Sequence, residues 1–226
     1  MFLFIMNDFK IHNYDIKKYK FRELIEDLYQ ENNLEKLHKK RPDLLPLEPL
    51  NFQNEVSTKF HNLFYNKLRK GWNEFRDVYE MFIKEEMCKL IKEPFLYQYF
   101  PSFRVQIPNN KAVHKWHFDS DKDHKHPNGE INFCVAITKM KDTTAIWSET
   151  SPGKKDFFPM EANYGEFFNF NGNKCTHGNK VNTSENVRIS FDFRILPKKK
   201  YNPTNSTLSI NKKKKFVIGE YYSEMI

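Results

Sequence analysis

Two periodicities divide the chain. Over residues 1–94, apolar side chains recur every three or four positions. Phe21, Leu24, Ile25 and Leu28 fall on one helix face. A longer stripe runs through Val56, Phe60, Leu63, Phe64, Leu68, Trp72, Phe75, Val78, Tyr79 and Phe82. Asn54 is placed to cap it and Gly71 to break or bend it. Pro42, Pro46 and Pro49 mark the loop between the two helical regions. Over 95–197 the pattern changes to short runs of Val, Ile, Phe, Trp and Thr between turn residues. Strands are expected at 103–107, 113–118, 131–138, 144–149, 166–170 and 187–196, separated by Pro108-Asn109-Asn110, Pro127-Asn128-Gly129, Ser151-Pro152-Gly153 and Asn171-Gly172-Asn173. The absence of helical segments between these strands argues against a doubly wound parallel sheet and for an all-β sandwich or barrel. The expected organisation is one structural unit in three zones: a helical region 1–94 packed on a β core 95–197, then a basic extension 198–226. The apolar end of that extension, Phe216-Val217-Ile218 and Gly219-Glu220-Tyr221-Tyr222, suits a terminal strand or a lid.

Composition adjusts this picture only slightly. With 226 residues, 22 Phe and 11 Tyr, the chain can bury a sizeable core and is not a disordered segment. The formal charge of +8 is concentrated in two Lys runs, 198–200 and 212–215, read first as solvated surface. No RNA-binding signature, zinc-finger spacing or helix-turn-helix pattern accompanies them, so nucleic acid is disfavoured as a partner. Cys88, Cys134 and Cys175 are too few and too scattered for a disulfide framework, which fits a reducing, cytoplasmic compartment. The apolar start, Met1 to Met6, is too short for a signal sequence, and no stretch approaches membrane-spanning length.

The chemistry concentrates in His114-Lys115-Trp116-His117-Phe118-Asp119. On a strand, His117 and Asp119 project from one face and can aim at a common metal. His177, in Cys175-Thr176-His177-Gly178, supplies a third ligand, with Gly178 letting the backbone turn after it. Two His and one carboxylate leave open positions and suit non-haem Fe(II); a structural zinc site would close its shell. Arg188 and Ser190 share a strand face and suit the distal carboxylate of 2-oxoglutarate, because a guanidinium binds a carboxylate bidentately. Arg104 and Gln106 sit two apart on the preceding strand, within reach of the same cavity.

Together these segments resemble the Fe(II)/2-oxoglutarate oxygenase superfamily. The stretch His126-Pro127-Asn128-Gly129-Glu130-Ile131-Asn132-Phe133 is similar to the streptomycin-biosynthesis-type branch. So are Trp147-Ser148-Glu149, Cys175-Thr176-His177-Gly178 and Arg188-Ile189-Ser190-Phe191-Asp192-Phe193-Arg194. The resemblance spans about 100–197, with Gly219-Glu220-Tyr221-Tyr222 as an outlying match. It implies a double-stranded β-helix, or jelly roll, a cupin-like barrel flanked by helices. It implies Fe(II) on His117, Asp119 and His177, 2-oxoglutarate anchored by Arg188 with Ser190 beside it, and Asn132 lining the co-substrate pocket. The reaction implied consumes O2, releases succinate and CO2, and oxidises, by default hydroxylates, a small polar metabolite of the sugar or aminocyclitol kind. A carboxylate at Asp119 disfavours a halogenating relative.

Blander readings stand beside these. Asp121, Asp123, His124 and His126 read as a solvated loop at the mouth of the site rather than a second metal cluster. Arg188 has an alternative as the surface partner of Asp192, and Glu149 as either a pocket acid or a turn residue. Cys175 reads as packing near the metal, since no base accompanies it. The rival function is a cupin-like isomerase, epimerase or binding barrel, which needs no carboxylate anchor at Arg188.

Overall fold

The computed structural model describes residues 9–48, 50–51, 57–113, 115–210 and 213–224. The expected helix cap Asn54, with Met1 to Met6, Pro49, Val56, His114 and Lys212, lies outside them. The order begins with strand β1 (Lys10–Asn13) and helices α1 (Phe21–Tyr29), α2 (Leu37–Lys40), α3 (Lys59–Arg69) and α4 (Asn73–Phe82). A π-helical turn, Ile83–Met87, follows directly on α4. Strands β2 (Phe95–Gln98), β3 (Ser102–Gln106), β4 (Ile131–Ala136), β5 (Ile146–Ser148), β6 (Phe158–Met160), β7 (Glu166–Phe170), β8 (His177–Gly178), β9 (Arg188–Pro197) and β10 (Tyr222–Glu224) complete it.

The strands form two antiparallel sheets. The larger has seven strands in the order β1-β7-β4-β9-β2-β10, with β3 also paired to β9; the smaller has three, β6-β5-β8. Hydrogen bonds do not join the two into a closed barrel among the described residues. Strand β9 organises the large sheet, pairing with β4 along one edge and with β3 and β2 along the other. It is buried throughout, yet its two faces differ in kind. Ile189, Phe191, Phe193 and Ile195 point one way; Arg188, Ser190, Asp192 and Arg194 point the other.

The apolar face of β9 meets the helices. Phe21 of α1 lies edge-on to Phe191 (4.9 Å), Tyr79 of α4 to Phe193 (5.8 Å), and Phe64 of α3 stacks on Phe103 of β3 (4.1 Å). Truncating one such buried ring typically costs about 3–5 kcal/mol. The long apolar stripe is split as expected: α3 ends at Arg69, and Gly71 turns the chain with φ +94° before α4 starts at Asn73. A second apolar cluster, including Cys134, Ile146, Met160, Phe168 and Phe170, fills the space between the sheets. A third lies under the end of the chain, where Leu96 and Leu196 meet Phe216, Tyr221 and Tyr222.

Two expectations are corrected. Among the described residues of 113–118 the expected strand does not form: one isolated bridge joins His117 to His177, and the chain then leaves the small sheet to rest on the turn at 171–174. Asp119 N donates to Gly172 O there (2.8 Å). The helical zone also contains a strand, because β1 pairs with β7. The end of the chain supplies β10, paired with β2. No helix among the described residues is long and apolar enough to cross a membrane.

Candidate metal centre

His117 and His177 are fastened to each other through their backbones. His117 N donates to His177 O (3.0 Å), and His177 N donates to His117 O (2.8 Å). Antiparallel partners point their side chains to the same side, so the two rings face one space, 4.6 Å apart. Each Nδ1 lies against a main-chain carbonyl, Lys115 O for His117 (2.9 Å) and Cys175 O for His177 (3.1 Å). A carbonyl can only accept, so both Nδ1 atoms carry a proton and Nε2 is the nitrogen of each ring left to face a metal.

Asp119 completes the group. Its Oδ1 stands 3.5 Å from His117 Nε2 and 3.8 Å from His177 Nε2. These three donor atoms could hold one metal ion. Bonds of about 2.0–2.2 Å place neighbouring donors about 3 Å apart, so small side-chain movements would close the shell. Oδ2 is occupied: Asn132 Nδ2 donates to it at 2.6 Å, and Arg194 Nε and Nη2 each stand at 3.0 Å. Burial would raise the Asp119 carboxyl, but Arg194, with His126, His117 and His177, overrides burial and holds it well below the usual carboxylate range. Burial first, and then the neighbouring His117, push His177 down to about 4. The site therefore presents one carboxylate and a neutral His177 at neutral pH.

Gly178 serves this geometry differently from the expected turn. A Cβ at Gly178 would lie 2.7 Å from Trp116 Cδ2, so the small residue admits the indole that precedes His117. His124 is buried rather than solvated and stacks on the His117 ring at 4.0 Å. It is held by Asp121 Oδ1, which accepts from both His124 N (2.7 Å) and His124 Nδ1 (2.9 Å). Asp123 instead pairs with Lys115 at the surface.

Across a shared cavity from His117 and His177 lies Arg188. It is 1% exposed, and none of its three guanidinium nitrogens has a hydrogen-bond partner among the described residues. Ser190 Oγ is buried beside the Cys134 thiol. Burial drives the Arg188 guanidinium down to about 10. Asp192, the acid expected as its alternative partner, bonds Arg104 Nε (3.1 Å) and Arg194 Nη1 (2.5 Å) instead. A buried cation without a hydrogen-bond partner among the described residues fits an anionic ligand, and a carboxylate matches its fork.

The remaining expected residues separate. Arg104 lines the same cavity and holds Asp192. Asn132 turns its amide N–H onto Asp119 Oδ2, while its Oδ1 has no partner among the described residues. Gln106 ties down the carbonyls of Asn110, Thr143 and Lys180 and so belongs to the scaffold. Glu149 is a turn residue, accepting from the backbone N–H groups of Gly153, Lys155 and Thr176. Cys175 is buried two positions before His177. The Lys198–Lys200 run is partly engaged: Lys198 pairs with Glu224 and Lys199 with Glu93 (2.7 Å). Sequence reading missed the hold of Arg194 on Asp119, though four polar residues at alternate positions of a strand buried on both faces are a usable signal for it.

Solved structures share this architecture. The non-haem monooxygenase ThoJ, in its nickel complex, superposes with a TM-score of 0.55 at 10% identity, covering 92% of this chain and 81% of that one. SnoK, a non-haem α-ketoglutarate-dependent carbocyclase from nogalamycin biosynthesis, gives 0.52 at 11% identity, covering 85% and 81%. The fold is therefore that of ThoJ and SnoK. No family model matches the chain. The streptomycin biosynthesis protein StrG of Streptomyces griseus is 30% identical over 209 residues, 92% of this chain and 94% of StrG. The chain belongs to the family of StrG.

Proposed function

We propose that this protein is an Fe(II)- and 2-oxoglutarate-dependent oxygenase, its two sheets forming a double-stranded β-helix. His117, Asp119 and His177 hold the metal, and Arg188 with Ser190 receives the distal carboxylate of 2-oxoglutarate. One observation carries the reading: a buried, unpartnered guanidinium lines the same cavity as the two histidines. An isomerase or a simple metal-binding barrel has no use for such a cation, whose burial without a partner costs several kcal/mol.

When bound, iron and 2-oxoglutarate supply the activation of O2, with succinate and CO2 released and a C–H bond of the substrate oxidised. The chain's own residues bind and orient. The backbone bridge sets the separation of the imidazoles, and the Nδ1 contacts fix their tautomers. Arg194 and Asn132 occupy Asp119 Oδ2, so that Oδ1 would be the oxygen left to bind the ion. Asp119 is also why we favour oxygenation over halogenation, since the carboxylate fills a position that halide would need. The place of StrG in streptomycin biosynthesis supports a small polar metabolite, of the sugar or aminocyclitol kind, as substrate, with hydroxylation as its fate.

The test is anaerobic titration of the metal-free protein with Fe(II) and 2-oxoglutarate, following the visible metal-to-ligand charge-transfer band. The band is expected in the wild type, lost in His177→Ala and weakened in Arg188→Ala. Tight metal binding with no band would refute the oxygenase reading in favour of an isomerase or binding barrel.

A further inference from the structure

The closing Tyr221-Tyr222 pair lies outside the cavity, yet both hydroxyls point into the supports of one metal-facing carboxylate. The first support is Arg194. Beyond Asp119 it contacts Gln98, whose Oε1 lies 3.4 Å from Arg194 Nη1 and accepts the Tyr221 hydroxyl at 2.9 Å. The second support is the loop that begins at Asp119. His126 N donates to Asp119 O (2.9 Å) and closes that loop. His126 Nδ1 then donates to Glu130 Oε2 (2.7 Å), and Glu130 Oε1 accepts the Tyr222 hydroxyl. Phe216 covers the His126 ring at 4.7 Å, and Tyr221 meets it edge-on at 5.6 Å. One donor atom each of Asp119, His126 and Glu130 lies within 4.8 Å of the others. We read this group as a support and not as a second metal site, because both Glu130 oxygens and His126 Nδ1 are already engaged.

We propose that residues 216–222 are a positioning element of the metal centre. Tyr221 acts through Gln98 and Arg194, and Tyr222 through Glu130 and His126, so that Asp119 keeps Oδ2 occupied and offers the ion Oδ1 alone. The inference rests on the reading of His117, Asp119 and His177 as the ligands. The competing view is that this segment only completes the sheet edge and its apolar cluster with Leu96 and Leu196. The two views part at the phenol oxygen of Tyr222, which adds nothing to the ring packing.

The test is titration of the metal-free protein with Co(II), read by calorimetry and by the cobalt d–d absorption, alongside thermal melting. The variants are Tyr222→Phe, Glu130→Gln and Arg194→Lys. Tyr201→Phe is the control, since the Tyr201 hydroxyl accepts from Ile218 N (3.1 Å) in the same segment and hydrogen-bonds neither support among the described residues. Loss of an outer hydrogen-bond partner typically weakens metal binding roughly 10–100-fold. That range is expected for Arg194→Lys, and about tenfold for Tyr222→Phe and Glu130→Gln, with an altered d–d band as Oδ2 becomes free to bind. Tyr201→Phe should bind Co(II) as the wild type does, even if it melts lower. Wild-type affinity and spectrum in both Tyr222→Phe and Arg194→Lys would overturn the proposal. So would an equal loss in Tyr201→Phe, which would trace the effect to segment stability. A wild type that binds no Co(II) would remove the ligand set itself and this inference with it.

Discussion

Arg188→Met should stabilise the ligand-free protein while abolishing its response to 2-oxoglutarate. Arg188 is 1% exposed and its guanidinium has no hydrogen-bond partner among the described residues. Burial lowers that guanidinium from above 12 to about 10, which corresponds to about 3 kcal/mol of unfavourable environment for the charge. Methionine keeps much of the aliphatic stem and removes the cation. Replacing buried charge by apolar side chains is often neutral or stabilising by roughly 1–4 kcal/mol. Allowing for imperfect packing, the expected gain is about 1–3 kcal/mol. For a chain of this size that is a rise of roughly 2–12 °C in melting temperature. The assay is thermal unfolding with Ni(II) present, with and without 2-oxoglutarate. A ligand at a hundred times its Kd stabilises by about 2.7 kcal/mol, so the wild type should melt several degrees higher with 2-oxoglutarate and the variant should not shift. The argument fails if Arg188→Met melts below the wild type without 2-oxoglutarate, or if 2-oxoglutarate still raises its melting point.

The metal-free protein should lose stability as pH falls from about 6.5 to 4. The pKa of His177 is about 4 when folded, below its ordinary 6.5, so the unfolded chain takes up that proton first and up to about 3 kcal/mol is lost across the window. Urea unfolding of wild type and His177→Asn across that range checks this, with a flatter profile expected for the variant and an unchanged slope counting against the argument. Gly178→Ala should displace the Trp116 indole, since the added Cβ would sit 2.7 Å from it. Because Trp116 precedes His117, Ni(II) affinity should fall roughly tenfold or more while most of the fold survives, a result readable by calorimetry and circular dichroism.

Legibility in the sequence followed element length and pattern. Strand β7 falls at the expected 166–170, and β9 within a residue of its expected bounds, because both are apolar runs closed by turn residues. Strands β1, β6, β8 and β10 run only two to four residues, too short for a period to register. Strand β2, Phe95–Gln98, is buried at every position and so shows no alternation. The convergence of His117 with Asp119 was anticipated from strand geometry, but it arises otherwise: one bridge to His177 and one bond to Gly172 O place the pair. Arg188 and Ser190 lie side by side on β9 as expected. Asn132, expected to line the co-substrate pocket, also bonds Asp119, because the pairing Asn132↔Arg194 puts both side chains on one carboxylate. No local pattern could reveal the tyrosine contacts, since Tyr222 meets Glu130 across 92 positions of chain.

The reciprocal backbone bonds between His117 and His177 separate two events that many small metalloproteins combine. Where an ion must gather its ligands from a loose chain, uptake of the ion and folding are a single transition. Here the main chain has already brought the imidazoles side by side, and part of their conformational entropy is lost during folding. Loading then becomes a local encounter at a ready surface.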